Sequence, residues 1–185
     1  MTTLSIFHQS KPEQAHTVVT DPEVIQNVLA EHGVHFDRWA TRELSVEASQ
    51  DEILEAYADE VARLRQDWGF QAADVVSLTA DHPQKEVFRQ KFLDEHTHSE
   101  DEVRFFVRGQ GVFYLHFDDQ VYALLCKMND LISVPDGTRH WFDMGPEPEF
   151  TCIRLFTNPE GWVADFTGAD IASRLPRYEA LAGEV

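Results

Sequence analysis

His96-Thr97-His98-Ser99-Glu100-Asp101-Glu102 decides how the rest of the chain is read. His96, His98 and Glu102 all fall at even-numbered positions. In an extended segment successive side chains point to opposite faces, so His96, His98 and Glu102 share one. Imidazole nitrogens suit Zn, Fe, Ni and Cu, and a carboxylate adds a harder oxygen donor. Downstream, Pro135-Asp136-Gly137-Thr138-Arg139-His140 offers another histidine directly after a rigid turn. The expectation is that the two stretches meet and hold one metal through His96, His98, Glu102 and His140.

Working outward, the even face continues through Arg104 and Phe106, while Val103, Phe105 and Val107 point the other way. Both faces are largely apolar beyond Glu102, as in a strand with a filled interior and a covered exterior. Arg104 beside metal ligands is costly unless it meets negative charge, from a bound anion or a buried carboxylate. The same alternation puts His140 and Phe142 on one face, with Trp141 and Asp143 on the other. The remaining histidines, His8, His16, His32, His35, His82 and His116, read as surface or locally satisfied residues.

From Val103 the chain is strand-rich. Val103–Val107 is followed by a turn signal at Arg108-Gly109-Gln110-Gly111, then by alternating runs at 112–117 and 121–127, by 131–134, and by 150–156. The first half is more helical. Strands at 4–8 and 15–19 bracket a polar turn, and Asp21-Pro22 opens a helix that ends at Gly33. Val34–Thr41 alternates as another strand. Ser49-Gln50-Asp51-Glu52 is a capping box, and the helix after it carries Ile53, Leu54, Tyr57, Ala58, Val61 and Leu64 to near Gly69. A strand at 73–78 and a helix from Asp81 through Val87, Phe88 and Phe92 lead back to His96. Runs of short antiparallel strands with helices mainly in the N-terminal half indicate an α+β domain on a β-barrel or sandwich.

The chain has 185 residues, enough for one domain with a substantial core, and a formal charge of −18 from 33 acidic and 15 basic residues. That charge repels nucleic-acid phosphates and anionic lipid, so neither nucleic acid nor membrane is an expected partner. It also favours a monomer. No apolar run approaches the roughly 20 residues of a membrane span, and Met1–Phe7 lacks signal-peptide character. Cys126 and Cys152 lie in apolar runs as small core residues, and a reducing, cytoplasmic setting is expected.

His96-x-His98-x3-Glu102-x6-Gly109 resembles the first cupin motif and Pro135-x-Gly137-x2-His140 the second. The glycine and asparagine that usually flank these motifs are replaced by Gln90, Asn129 and Met144. The longer run His96–Val107, together with Val134–Phe142 and Arg154-Leu155-Phe156, is similar to the acireductone dioxygenase family of methionine salvage. The resemblance covers most of the chain. It implies a cupin-type antiparallel β-barrel (jelly roll) with its core at about 73–157, N-terminal strands and helices (1–72) and a tail (158–185) packed on it, all within a single domain of 1–185. It further implies one Fe(II) or Ni(II) per chain, an acireductone substrate bound as a dianion, and O2 as co-substrate. Arg104 is then catalytic, holding the substrate's charge. Phe92, Phe106, Phe142 and Trp162 are candidates for the substrate pocket, and Glu95 and Asp101 for orienting the ligands. Other chemistry on the same ligands (a Mn-dependent oxalate enzyme or a Zn/Fe sugar-phosphate isomerase) and a non-enzymatic metal or ligand binder are the alternatives.

Overall fold

A computed structural model describes residues 1–158 and 163–183. In chain order the elements are β1 (Thr3–His8), β2 (Thr17–Val19), α1 (Pro22–Ala30), β3 (His35–Arg38), α2 (Gln50–Ala56), α3 (Ala58–Trp68), β4 (Ala72–Leu78) and α4 (Lys85–Phe92). They continue with β5 (His96–Thr97), β6 (Glu102–Phe117), β7 (Gln120–Lys127), β8 (Asp130–Val134), β9 (Arg139–Asp143) and β10 (Phe150–Phe156). β11 (Asp165–Phe166), α5 (Ile171–Arg174) and α6 (Tyr178–Ala182) complete the described chain.

β6 organises all of this. It lies within a first sheet ordered β11-β5-β9-β6-β7-β1-β2, and its N-terminal half also pairs with β8 and β10, which carry β3 and β4. The pairings are antiparallel throughout. The antiparallel architecture expected from the sequence is present, but among the described residues the ladder does not close on itself. Two sheets instead share one strand.

Residues 108–111 do not form the expected turn; β6 runs through them unbroken. Gly109 adopts φ +75°, and a Cβ there would stand 1.7 Å from the Glu149 carbonyl oxygen. The register against β10 steps from Cys152–Phe106 to Thr151–Arg108, leaving Val107 as the extra residue of a bulge. This bend carries the strand from one sheet to the other and reverses its facing. Phe106 points between the sheets before it, and Phe113 and Leu115 do so after it.

Burial explains the rest of the pattern. Leu4, Phe106, Phe113, Leu124, Ile132 and Cys152 meet between the sheets. Val103, Phe105 and Ile153 lie under Tyr57, Val61 and Leu64 of the α2–α3 region. Tyr114 and Trp141 lie under Ile171, Ala172 and Leu175. β6 is therefore covered on both faces, as its doubly apolar sequence requires.

The Ser49–Glu52 capping box forms, but the helix it starts is broken at Tyr57 (φ −112°, ψ 21°) rather than continuous to Gly69. Tyr57 is fully buried, packs edge-on to Phe105, and accepts a hydrogen bond from Arg42 N at 2.8 Å. Tertiary contacts at this one side chain override helix continuity. The helix expected from Asp81 begins only at Lys85, and the strand expected at 34–41 is limited to β3. Among the described residues no helix is long and apolar enough to cross a membrane. Cys126 and Cys152 are buried free thiols, and burial pushes the Cys152 thiol up to about 12.

Candidate metal centre

The strand expected to run continuously from His96 is split. β5 ends at Thr97, residues 98–101 lie outside the strands, and β6 begins at Glu102. The four donors converge nevertheless, because cross-strand pairing replaces simple alternation. His96 and His140 are direct partners between β5 and β9, and His140 faces Leu115 of β6. Two bonds tie the intervening loop to the Pro135–Gly137 turn. Gly137 N donates to His98 O at 2.9 Å, and Asp136 N donates to the Asp101 carboxylate at 2.8 Å.

One ring nitrogen from each of His96, His98 and His140 lies within 4.8 Å of the others. Each Nδ1 is held by a backbone carbonyl: His96 by Asp94 at 2.8 Å, His140 by Thr138 at 2.7 Å, and His98 by Val163 at 3.2 Å. A carbonyl only accepts, so Nδ1 carries the proton and the Nε2 lone pair is left for the centre. Glu102 Oε2 stands 3.3 Å from His140 Nε2 and 3.8 Å from His98 Nε2. Glu102 Oε2 and His140 Nε2 are buried without a hydrogen-bond partner among the described residues. Buried polar atoms without partners are costly, and a shared cation satisfies both at once.

The protonation states suit a ligand set. Burial, reinforced by His140 and His98, lowers His96 to about 4, against the pull of the Asp94 carbonyl and Glu102. Burial likewise lowers His98. For Glu102 burial alone acts upward, but Arg104, His140 and His98 outweigh it and hold the carboxyl well below its ordinary range. His96 and His98 are thus held toward the neutral form and Glu102 toward the ionised form, the states in which these groups bind a cation.

Arg104 meets the negative charge its burial demands in Glu102. Its Nε donates to Oε1 at 2.5 Å. The guanidinium carbon lies 5.2 Å from the Phe113 ring centroid, 5.3 Å from Phe142 and 5.9 Å from Phe92. Phe106 is fully buried and tilts against Phe142 at 6.4 Å. Phe142 fits close to β6 because position 111 is glycine, where a Cβ would stand 2.3 Å from the ring. Trp162 lies outside the described residues.

Glu95 and Asp101 sit beside the candidate ligands in sequence but reach elsewhere. Glu95 Oε2 meets His116 Nδ1 at 2.5 Å, and its Oε1 accepts from Thr167 at 2.7 Å. Asp101 binds the Asp136 amide. The groups that orient the imidazoles are the carbonyls named above, which sequence reasoning missed. The recurrence of the same i−2 contact at His96 and His140 marks it as a local backbone device. Phe113 beside Arg104 and Phe166, whose ring lies 5.8 Å from His96, were missed as well. Of the histidines read as surface or satisfied residues, His116 is of the second kind, buried with its Nδ1 bonded to Glu95.

Comparison with known proteins agrees with this geometry. A profile of the ARD/ARD′ family matches residues 3–164. The chain is 85% identical over 183 residues to the acireductone dioxygenase of Marinobacter nauticus, covering 99% of each chain. It is 61% identical over 184 residues to that of Hahella chejuensis, covering 100% of each. Among solved structures, acireductone dioxygenase from Bacillus anthracis, with a cadmium ion in its active centre, superposes with a TM-score of 0.77 at 30% identity. That match covers 90% of this chain and 98% of the other.

Proposed function

The chain belongs to the ARD/ARD′ family, and from that membership and the four-donor centre we propose that it is an acireductone dioxygenase of methionine salvage. The substrate in this reading is 1,2-dihydroxy-3-oxo-5-(methylthio)pent-1-ene, cleaved with O2. The observation that carries it is the convergence of three Nδ1-anchored imidazoles and Glu102 Oε2 beside the buried cation of Arg104.

His96, His98, Glu102 and His140 would hold one Fe(II) or Ni(II) ion, which when bound supplies Lewis-acid polarisation and a template for chelating an enediol. The protein's own contribution is charge, shape and dryness. Arg104 places a fixed positive charge beside the chelation site, favouring a doubly deprotonated substrate over a neutral one. Phe92, Phe106 and Phe142 give that side of the site an apolar wall, suited to a methylthio chain. The carbonyls of Asp94, Thr138 and Val163 keep the imidazoles in one tautomer. Formate and 4-methylthio-2-oxobutanoate are the products proposed for the iron-loaded protein, and formate, carbon monoxide and 3-methylthiopropionate for the nickel-loaded protein. In the same reading residues 1–185 form one domain that acts as a cytoplasmic monomer.

Protein loaded separately with Fe(II) and Ni(II), mixed anaerobically with the acireductone and then given O2, should bleach the enediol's ultraviolet absorbance. Persistence of that absorbance with both ions would refute the activity, and product analysis assigns each route to its ion.

A further inference from the structure

Glu102 has two oxygens, and the structure divides them between two tasks. Oε2 faces the histidines, 3.3 Å from His140 Nε2 and 3.8 Å from His98 Nε2. Oε1 is turned away and accepts from Arg104 Nε at 2.5 Å. A carboxylate can bind a cation through one oxygen or through both, and the second mode consumes an additional coordination position. A charge-assisted hydrogen bond on Oε1 competes with that second mode, because the oxygen must break the bond in order to swing inward.

The guanidinium is not free to follow it. Arg104 is only 7% exposed and is flanked by Phe113, Phe142 and Phe92. Leaving Glu102 would give up those contacts and strand a buried charge. The pairing also spans only two residues of β6, with both side chains on the strand's inward face, so the strand itself fixes their separation.

We propose that Arg104 is the positioning residue that keeps Glu102 bound through Oε2 alone, and so keeps open the coordination position that a two-oxygen ligand needs. This rests on the metal-dioxygenase reading above. It assigns Arg104 a task that precedes any substrate. Three imidazoles and one carboxylate oxygen leave about two positions of an octahedral ion, whereas a two-oxygen Glu102 leaves about one.

The experiment uses the full chain loaded with Mn(II), an ion that accepts the same nitrogen and oxygen donors. Exchangeable waters are counted by water-proton relaxation in wild type, Arg104→Met and Arg104→Lys, with metal content measured in each. Methionine keeps apolar bulk in the phenylalanine cage but offers no donor, and lysine restores a charged donor. The expected result is about two waters in wild type, about one in Arg104→Met, and a return toward two in Arg104→Lys. Oxalate, a dianionic two-oxygen chelator, should bind Arg104→Met roughly tenfold or more weakly, the scale on which partners of metal ligands act.

Equal water counts in wild type and Arg104→Met at full occupancy would overturn the proposal. Should Arg104→Met not fold, Arg104→Leu, which is equally apolar and without a donor, takes its place against wild type and the lysine variant, with the same outcomes. Wild-type protein that takes up no stoichiometric ion would instead refute the metal-centre reading itself, so the two failures are distinguishable.

Discussion

His140 is the donor on which the most geometry converges. It pairs across the sheet with His96, lies 3.3 Å from Glu102 Oε2, and is anchored through Nδ1 to the Thr138 carbonyl. Replacing it with alanine removes one of four donors and leaves Oε2 with a single imidazole nearby. His140→Ala should therefore lose most of its metal by elemental analysis. Its turnover should fall by more than the ~100-fold typical of removing a partner that only supports a ligand. Full metal content in that variant would mean the ligand set is wrong. At this scale the sequence was highly legible for side chains and blind to the backbone. Histidine and glutamate announce metal chemistry by residue type, so spacing alone picks out His96, His98, Glu102 and His140, and the fold brings these four side chains together. The carbonyls that orient them belong to Asp94, Thr138 and Val163, whose side chains carry no such signal. Glu95 shows the converse. Its type and position suggested a contact with a ligand, yet its carboxylate turns to His116 and Thr167.

Elements were legible where local chemistry sets them and illegible where packing does. The Asp21 cap, the Ser49–Glu52 box and the helix stop at Gly69 all formed as read, Gly69 in the left-handed conformation. The break at Tyr57 and the unbroken passage of β6 through Gly109 depend on neighbours distant in sequence, Phe105 in one case and Glu149 in the other. Gly-x-Gly reads as a turn when only local propensity is weighed, but here it bends a strand between sheets. Gly109→Ala should then cost more than an ordinary glycine replacement, because φ +75° and a clash with backbone at 1.7 Å act together. A loss of roughly 3 kcal/mol or more is expected from denaturant midpoints, at the high end for single substitutions. Gly137→Ala, with positive φ but open space, provides the milder comparison.

A second element-scale test concerns how α6 is held to α4 and β9. Arg89 donates to both Asp143 oxygens and to Glu179, whose carboxyl is lowered from 4.5 chiefly by the Arg89 hydrogen bond. A carboxyl lowered in the folded state adds stability above its unfolded value, and that stability is lost as pH falls through the folded value. Wild type should thus exceed Glu179→Gln in stability at neutral pH, and the gap should close on acidification below about 4.5. A gap independent of pH in chemical denaturation would show that Glu179 acts by packing alone.

The whole molecule has a formal net charge of −18, and a cation has two physically different ways to bind it. Surface carboxylates gather divalent ions diffusely, through a field that salt screens to a Debye length of about 3 Å at 1 M. Three of the four donors are buried, His96, Glu102 and His140 each being no more than 5% exposed, so screening reaches the centre poorly. Binding to the folded state alone stabilises it by mass action, about 2.7 kcal/mol at a free ion concentration 100 times Kd. For a chain of this size that corresponds to a rise in Tm of roughly 5–10 °C. Fe(II) or Ni(II) should produce that rise as one ion binds per chain, and a chelator should reverse it. The rise should persist in 1 M salt and vanish in His140→Ala. A shift that salt abolishes, or that the variant retains, would locate the ion on the acidic surface and detach the metal from the chemistry of the centre.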